Sequence, residues 1–193
     1  MLKGFIFGVV ATIVVGLIVA YVGITQGLLI PANADARPSK LERWAASRSL
    51  DATIRREMPA GANPIPMTDV NYLAGIKLYG ENCSACHGVP GERPSAIAMG
   101  LYQHAPQLAR HGVEDDPDGE TYWKIKHGIR LTGMPAYTRT LTDDQMWTLA
   151  LFLKHMDKLP AVPERAWKAL RMPVALAPAS ALASPQPGSS STR

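Results

Sequence analysis

The sequence predicts an all-α protein, with one membrane-spanning helix followed by a small helical domain. Three observations lead there. The first is a run without charge from Gly4 to Ile30, 27 residues long. The second is the apolar spacing of "LTDDQMWTLALFLKHM", where Met146, Leu149, Ala150 and Leu153 recur at helical intervals. The third is that no segment alternates polar and apolar residues as a half-buried strand does.

About 20 apolar residues span the hydrocarbon of a bilayer, and secretory h-regions are usually about 7–15 residues long. The opening run is therefore expected to be an uncleaved anchor, residues 1–30, although Lys3 and "ANA" at 32–34 imitate a signal peptide. Gly4/Gly8 and Gly23/Gly27 repeat at helix-pairing spacing, which a glycine-rich membrane helix also produces. Residues 31–67 read as a connecting segment punctuated by Pro31, Pro38, Pro59, Pro64 and Pro66. Within it, Ser39 and Glu42 form a capping-box signature ahead of Leu41, Trp44, Leu50, Ile54 and Met58. One or two short amphipathic helices are expected there, lying on the domain or at the membrane surface.

The domain is expected over 68–160. Thr68 opens a helix running into "NCSACHG", and "PDGETYWKIKHG" carries acids at its start and lysines near its end, as the helix dipole favours. Gly128 ends that helix, and Thr142 with Gln145 caps the next. Pro160 is expected to close the domain. Residues 161–193, rich in Pro, Ala and Ser beyond Met172, are expected to be largely disordered.

The formal charge is +4, but residues 68–160 hold 9 Lys/Arg against 11 Asp/Glu. The basic excess lies in the flanks, so a nucleic-acid module is not indicated.

Cys83 and Cys86 are the only cysteines, and His87 follows directly. A thioredoxin-type Cys-x-x-Cys belongs beside a βαβ pattern, which is missing. A zinc site would need His104 and His111, at C-x2-C-x17-H-x6-H, beyond the usual finger spacing, and would leave His87 without a role. C-x-x-C-H is the attachment signal of c-type haem: two thioethers to the porphyrin vinyl groups and an axial imidazole from the histidine. Haem c is attached outside the bacterial cytoplasmic membrane, which puts the domain in the periplasm. Arg37, Lys40, Arg43 and Arg48 behind the anchor argue the opposite by the positive-inside rule. The cofactor chemistry takes precedence over it.

For the second axial position, "TGMPAY" is the best placed. Pro135 extends the backbone at Met134, and Gly133 permits a close approach. His127 is the rival ligand. Met99 is tethered close to His87, and Met146 and Met156 fit core positions. His/Met ligation closes both axial positions and raises the reduction potential relative to bis-His.

"GIKLYGENCSACHG", "GMPAY" and "LTDDQMWTLALFLKHM" together resemble the class I cytochrome c family in its membrane-anchored bacterial monohaem form. The resemblance covers about residues 68–160. It implies a cytochrome c-like fold around one covalent haem c, with Cys83 and Cys86 as thioether residues, His87 as proximal ligand and Met134 as distal ligand. It also implies a helix crossing at Gly75 and Tyr79 against Trp147 or Phe152. Trp123 and Arg130 are candidate donors to the haem propionates. The expected function is one-electron transfer, without catalysis by the chain itself, to redox partners in or at the membrane. The alternatives are a haem subunit of a larger dehydrogenase or terminal oxidase, with "LYQHAP" (101–106) as interface, and a haem sensor or enzyme with an open iron position.

Overall fold

The structure, a computed structural model, describes residues 2–29 and 32–172. Every regular element among them is a helix: α1 (Leu2–Thr25), α2 (Lys40–Glu57), α3 (Asp69–Asn82), α4 (Ser84–His87), α5 (Ala96–Gly100), α6 (Asp118–His127), α7 (Asp143–His155) and α8 (Ala161–Ala169). The backbone divides into two units, the first ending at Arg37 and the second beginning at Pro38.

Helix α1 is apolar and long enough to cross a membrane. Its threonines donate their hydroxyls back along the helix, Thr12 to the Gly8 carbonyl and Thr25 to that of Tyr21, both at 2.9 Å. Those bonds satisfy the hydroxyls without water.

In the second unit, capping side chains mark the helix starts. Ser39 and Glu42 close a capping box on α2, Thr142 and Gln145 close one on α7, and the Thr68 hydroxyl accepts the Asn71 N–H at the head of α3. These satisfy amide groups that a helix start otherwise leaves unpaired.

The core forms where α3 crosses α7. A Cβ at Gly75 would lie 2.6 Å from Phe152 Cβ and 2.9 Å from the Thr148 carbonyl, so only glycine lets the two helices approach this closely. The crossing implied by the resemblance is present, with Phe152 rather than Trp147 against the glycine. Tyr79, Phe152, Leu149 and Ala150 are sealed from solvent around it. Trp147 instead stacks on Tyr122 of α6, ring centres 4.1 Å apart.

One expected boundary changes. Pro160 does not end the folded domain: α8 follows, and Trp167 packs edge-on against Tyr79 and Phe152 at 5.2 and 5.1 Å. A fully buried indole of this kind is typically worth about 3–5 kcal/mol. The segment before Thr68 contains one continuous 18-residue helix, α2, whose Ile54 is buried. Asn63 pins the following stretch, donating its backbone N–H to Asp118 at 3.1 Å and its amide to the Trp147 carbonyl at 2.9 Å. The short sequence between these bonds held no periodicity to reveal them. The Ala/Pro/Ser tail, where disorder is expected, lies outside the described residues beyond Met172.

Candidate haem-binding site

Cys83, Cys86, His87 and Met134 all line one apolar cavity of about 300 Å³, within the range of small-molecule pockets. Helices α3 and α4 bring three of them. The chain turns from α3 into the single turn of α4 at Cys83, whose amide donates to the Tyr79 carbonyl at 2.8 Å. Gly88 ends α4 with φ +75°, a conformation that L side chains rarely adopt. The Tyr79 hydroxyl donates to the Gly88 carbonyl at 2.7 Å, and the Gln107 amide donates to that of Cys86 at 2.9 Å.

His87 Nδ1 lies 2.9 Å from the Pro106 carbonyl. A carbonyl only accepts, so Nδ1 carries the proton and Nε2 keeps its lone pair. Burial holds the imidazole below its usual pKa, and the Pro106 bond offsets only part of that. At neutral pH His87 is therefore neutral, the state that binds a metal. Burial likewise pushes the Cys83 thiol up to about 12, with Cys86 adding to the rise. Neither a thiolate nor a charged imidazole is favoured in this wall, whereas thioethers and a neutral ligand are. Among the described residues, no three His, Cys, Asp or Glu side chains gather as a metal cluster.

The loop after α6 also lines the cavity, through Ile129, Thr132, Gly133, Met134 and Pro135. Gly128 ends that helix with φ +64°, and a Cβ there would meet the Met134 carbonyl and the Pro135 backbone at 2.6 Å. The Thr132 hydroxyl donates to the Ile129 carbonyl at 2.6 Å and accepts the Met134 N–H at 3.1 Å. Gly133 admits Leu101, which would lie 2.4 Å from a Cβ at that position. The close approach expected of this glycine is thus to a side chain of the cavity wall.

The other sequence candidates separate cleanly. Met146 and Met156 are buried in the core, and Met99 is exposed outside the cavity. His127 packs against Trp123, ring centres 5.0 Å apart, and is not in the wall. Neither Trp123 nor Arg130 lines the cavity, because α6 turns Trp123 into a buried position and Arg130 stands exposed. "LYQHAP", which the complex-subunit alternative reads as interface, supplies Leu101, Gln103, His104 and Pro106 to the wall.

Sequence reading also missed Leu50, brought by α2, and Tyr137, whose hydroxyl donates to the Asn82 carbonyl at 2.7 Å. The heptad-like placing of Leu50 and Ile54 was the available signal for the first. Thr121 is a further wall residue with a buried hydroxyl that has no partner among the described residues. Lys124 contributes its stem, while its ammonium is tied to Glu120 at 2.7 Å and Asp116 at 3.0 Å. Burial alone would lower its pKa, but these two partners raise it.

The cavity therefore offers two thiols at thioether spacing, a neutral imidazole on one wall, a methionine on the other, and apolar side chains between. Residues 70–153 match the family model described as "Cytochrome C oxidase, cbb3-type, subunit III". This segment is a class I c-type cytochrome domain. As such it carries covalently bound haem c, and the residues around the cytochrome cavity fit that group: an apolar slot, an open lone pair at His87 and one unpartnered hydroxyl. A chain of the Kuenenia stuttgartiensis reducing HAO-like protein complex also matches, with TM-score 0.41 and 24% identity over 53% of this chain. The match covers 50% of that chain, so this protein spans about half its length.

Proposed function

We propose that the protein is a membrane-anchored electron carrier of the periplasm, holding haem c through Cys83 and Cys86 with His87 and Met134 as axial ligands. When bound, haem c supplies a one-electron ferric/ferrous couple, and no bond to a substrate is made or broken. Around it the chain does three things. The Pro106 carbonyl fixes the His87 tautomer and ring orientation. The cavity walls keep water away from the buried face. The Gly128–Tyr137 loop presents Met134 opposite His87, closing the coordination that an oxygen- or peroxide-binding site would leave open. Helix α1 is read as the anchor and the cytochrome domain as facing the periplasm, where haem c is attached.

The observation that carries this reading is the convergence of the C-x-x-C-H residues and Met134, far along the chain from them, on one apolar cavity. Full-length protein matured in a host that attaches haem c is expected to show a reversible one-electron titration and no carbon monoxide adduct when reduced at neutral pH. Ready carbon monoxide binding would instead support the open-iron sensor or enzyme.

The name of the matching family, an oxidase subunit, favours one second reading: a haem c subunit of a membrane oxidoreductase complex. Purification in mild detergent separates the two. A free carrier elutes alone, and a subunit brings stoichiometric partners.

A further inference from the structure

Helix α2 meets the cytochrome domain along one side. Ile54 is buried there, and Leu50, one turn earlier, lines the cavity. Glu42, nearer that side, is held by the Tyr102 hydroxyl. The other side carries Leu41, Trp44, Arg48 and Arg55, whose spacing puts them on one helical face. Leu41 is 72% exposed and Trp44 61%. The remaining tryptophans, Trp123, Trp147 and Trp167, are buried or half-buried in the domain. Lys40, Arg48 and Arg55 have no ion-pair partner among the described residues, and Asp51, one turn from Arg48 and Arg55, shares this face as its acid, leaving it with a basic excess.

We propose that this face of α2 rests on an anionic lipid surface, with Trp44 and Leu41 at headgroup depth and Lys40, Arg48 and Arg55 against the phosphates. The proposal rests on the reading of α1 as a membrane anchor. Two observations choose lipid over a soluble partner. Fourteen residues separate α1 from α2, a tether of roughly 50 Å when fully extended. The charge is also divided in the required sense: residues 68–160 carry an acidic excess and the α2 face a basic one. An amphipathic helix with arginines on its polar flank and tryptophan on its apolar side is the composition that seeks a lipid–water boundary.

The consequence concerns electron transfer. Leu50 and Trp44 lie about 120° apart around the same helix, so seating α2 on lipid fixes which edge of the haem cavity is turned to partners. It also gives the basic cluster behind the anchor a role outside the cytoplasm, which the positive-inside rule alone does not provide.

The test uses full-length holoprotein in nanodiscs of phosphatidylcholine, with or without phosphatidylglycerol, containing brominated lipid as a quencher. Trp44 emission is taken as the difference from W44F. It should be quenched in the phosphatidylglycerol discs and recover in high salt. R48Q and R55Q should each weaken the seating about fivefold, with the haem spectrum and membrane insertion unchanged. Trp44 emission indifferent to phosphatidylglycerol, in chains that stay inserted through a carbonate wash, would overturn the proposal. Protection of Trp44 only on adding an acidic protein would do the same and assign the face to a protein partner. If the wash removes the chain, the anchor reading falls. Quenching by added phosphatidylglycerol vesicles then still decides for or against α2.

Discussion

The two walls of the haem cavity are built differently. The histidine wall is cross-braced within a short stretch: Tyr79 holds Gly88, Gln107 holds Cys86, Pro106 holds His87, and the Leu108 N–H donates to the His87 carbonyl at 3.1 Å. The methionine wall is a loop closed mostly on itself: by the Thr132 hydroxyl, and by two backbone bonds at 3.2 Å, from the Ile129 N–H to the Met134 carbonyl and from the Thr132 N–H to the Ile129 carbonyl. The Tyr137 N–H ties its end to the Ile125 carbonyl of α6, also at 3.2 Å. It also holds Leu131, 85% exposed, at φ 61°. That is an unfavourable conformation for a side chain with a Cβ. Tyr137 bridges the walls through the Asn82 carbonyl. The contrast teaches that the histidine side is braced by bonds from other segments, while the methionine loop is held mainly by bonds within itself and is the side more responsive to single changes.

Removing the attachment side altogether has the largest effect. C83A/C86A is expected to lose the covalent haem completely, so that acidified acetone extracts all pigment from whatever protein is recovered. Pigment that resists extraction would break the assignment of these cysteines.

The methionine wall comes next. M134H should lower the reduction potential by on the order of 0.1 V, a modest part of the roughly 0.8 V that axial ligands span. M134A should bind carbon monoxide when reduced. An unchanged potential in both variants would remove Met134 from the iron.

A smaller effect separates the walls from each other. G128A places a Cβ against the Met134 carbonyl at a positive φ, which should cost about 1–3 kcal/mol in chemical denaturation. The methionine–iron band should weaken while covalent haem content stays full. Equal damage to both walls would show that they are one cooperative unit.

The smallest change is Y137F, which deletes the bridge at about 1 kcal/mol. Burial is the main cause that raises the Tyr137 hydroxyl towards about 12, and it persists once Cys83 and Cys86 are uncharged thioethers. A phenol whose folded pKa is raised stabilises the fold below its unfolded value near 10 and loses that contribution as pH climbs towards 12. The wild type should therefore lose stability across that alkaline window, and Y137F should lose less. Parallel curves for the two proteins would remove Tyr137 from the linkage.

Much of the fold was legible before any coordinates. Ser39, Thr68 and Thr142 start helices because capping chemistry is local, and the α7 stripe is buried because its period is helical. The cavity was legible at C-x-x-C-H for the same reason: two thiols and an imidazole lie within five residues. Capping did not distinguish α7, buried along most of its length, from α2, buried at Ile54. Both carry the same box, and only packing partners tell them apart. Trp167 was misplaced because the Ala, Pro and charged residues around it dilute the apolar signal, whereas its burial depends on Tyr79 and Phe152, far away in sequence.

By itself the sequence determined whatever acts within a few residues: helix starts, an apolar segment long enough for a bilayer, and the pair of thiols beside an imidazole. Tertiary structure alone decided that Pro106 rather than a side chain holds His87, that Leu50 and Leu101 wall the cavity, and that the domain runs on through α8. Those are contacts between distant segments. They depend on where Gly75 lets two helices cross, a geometry that no local pattern encodes.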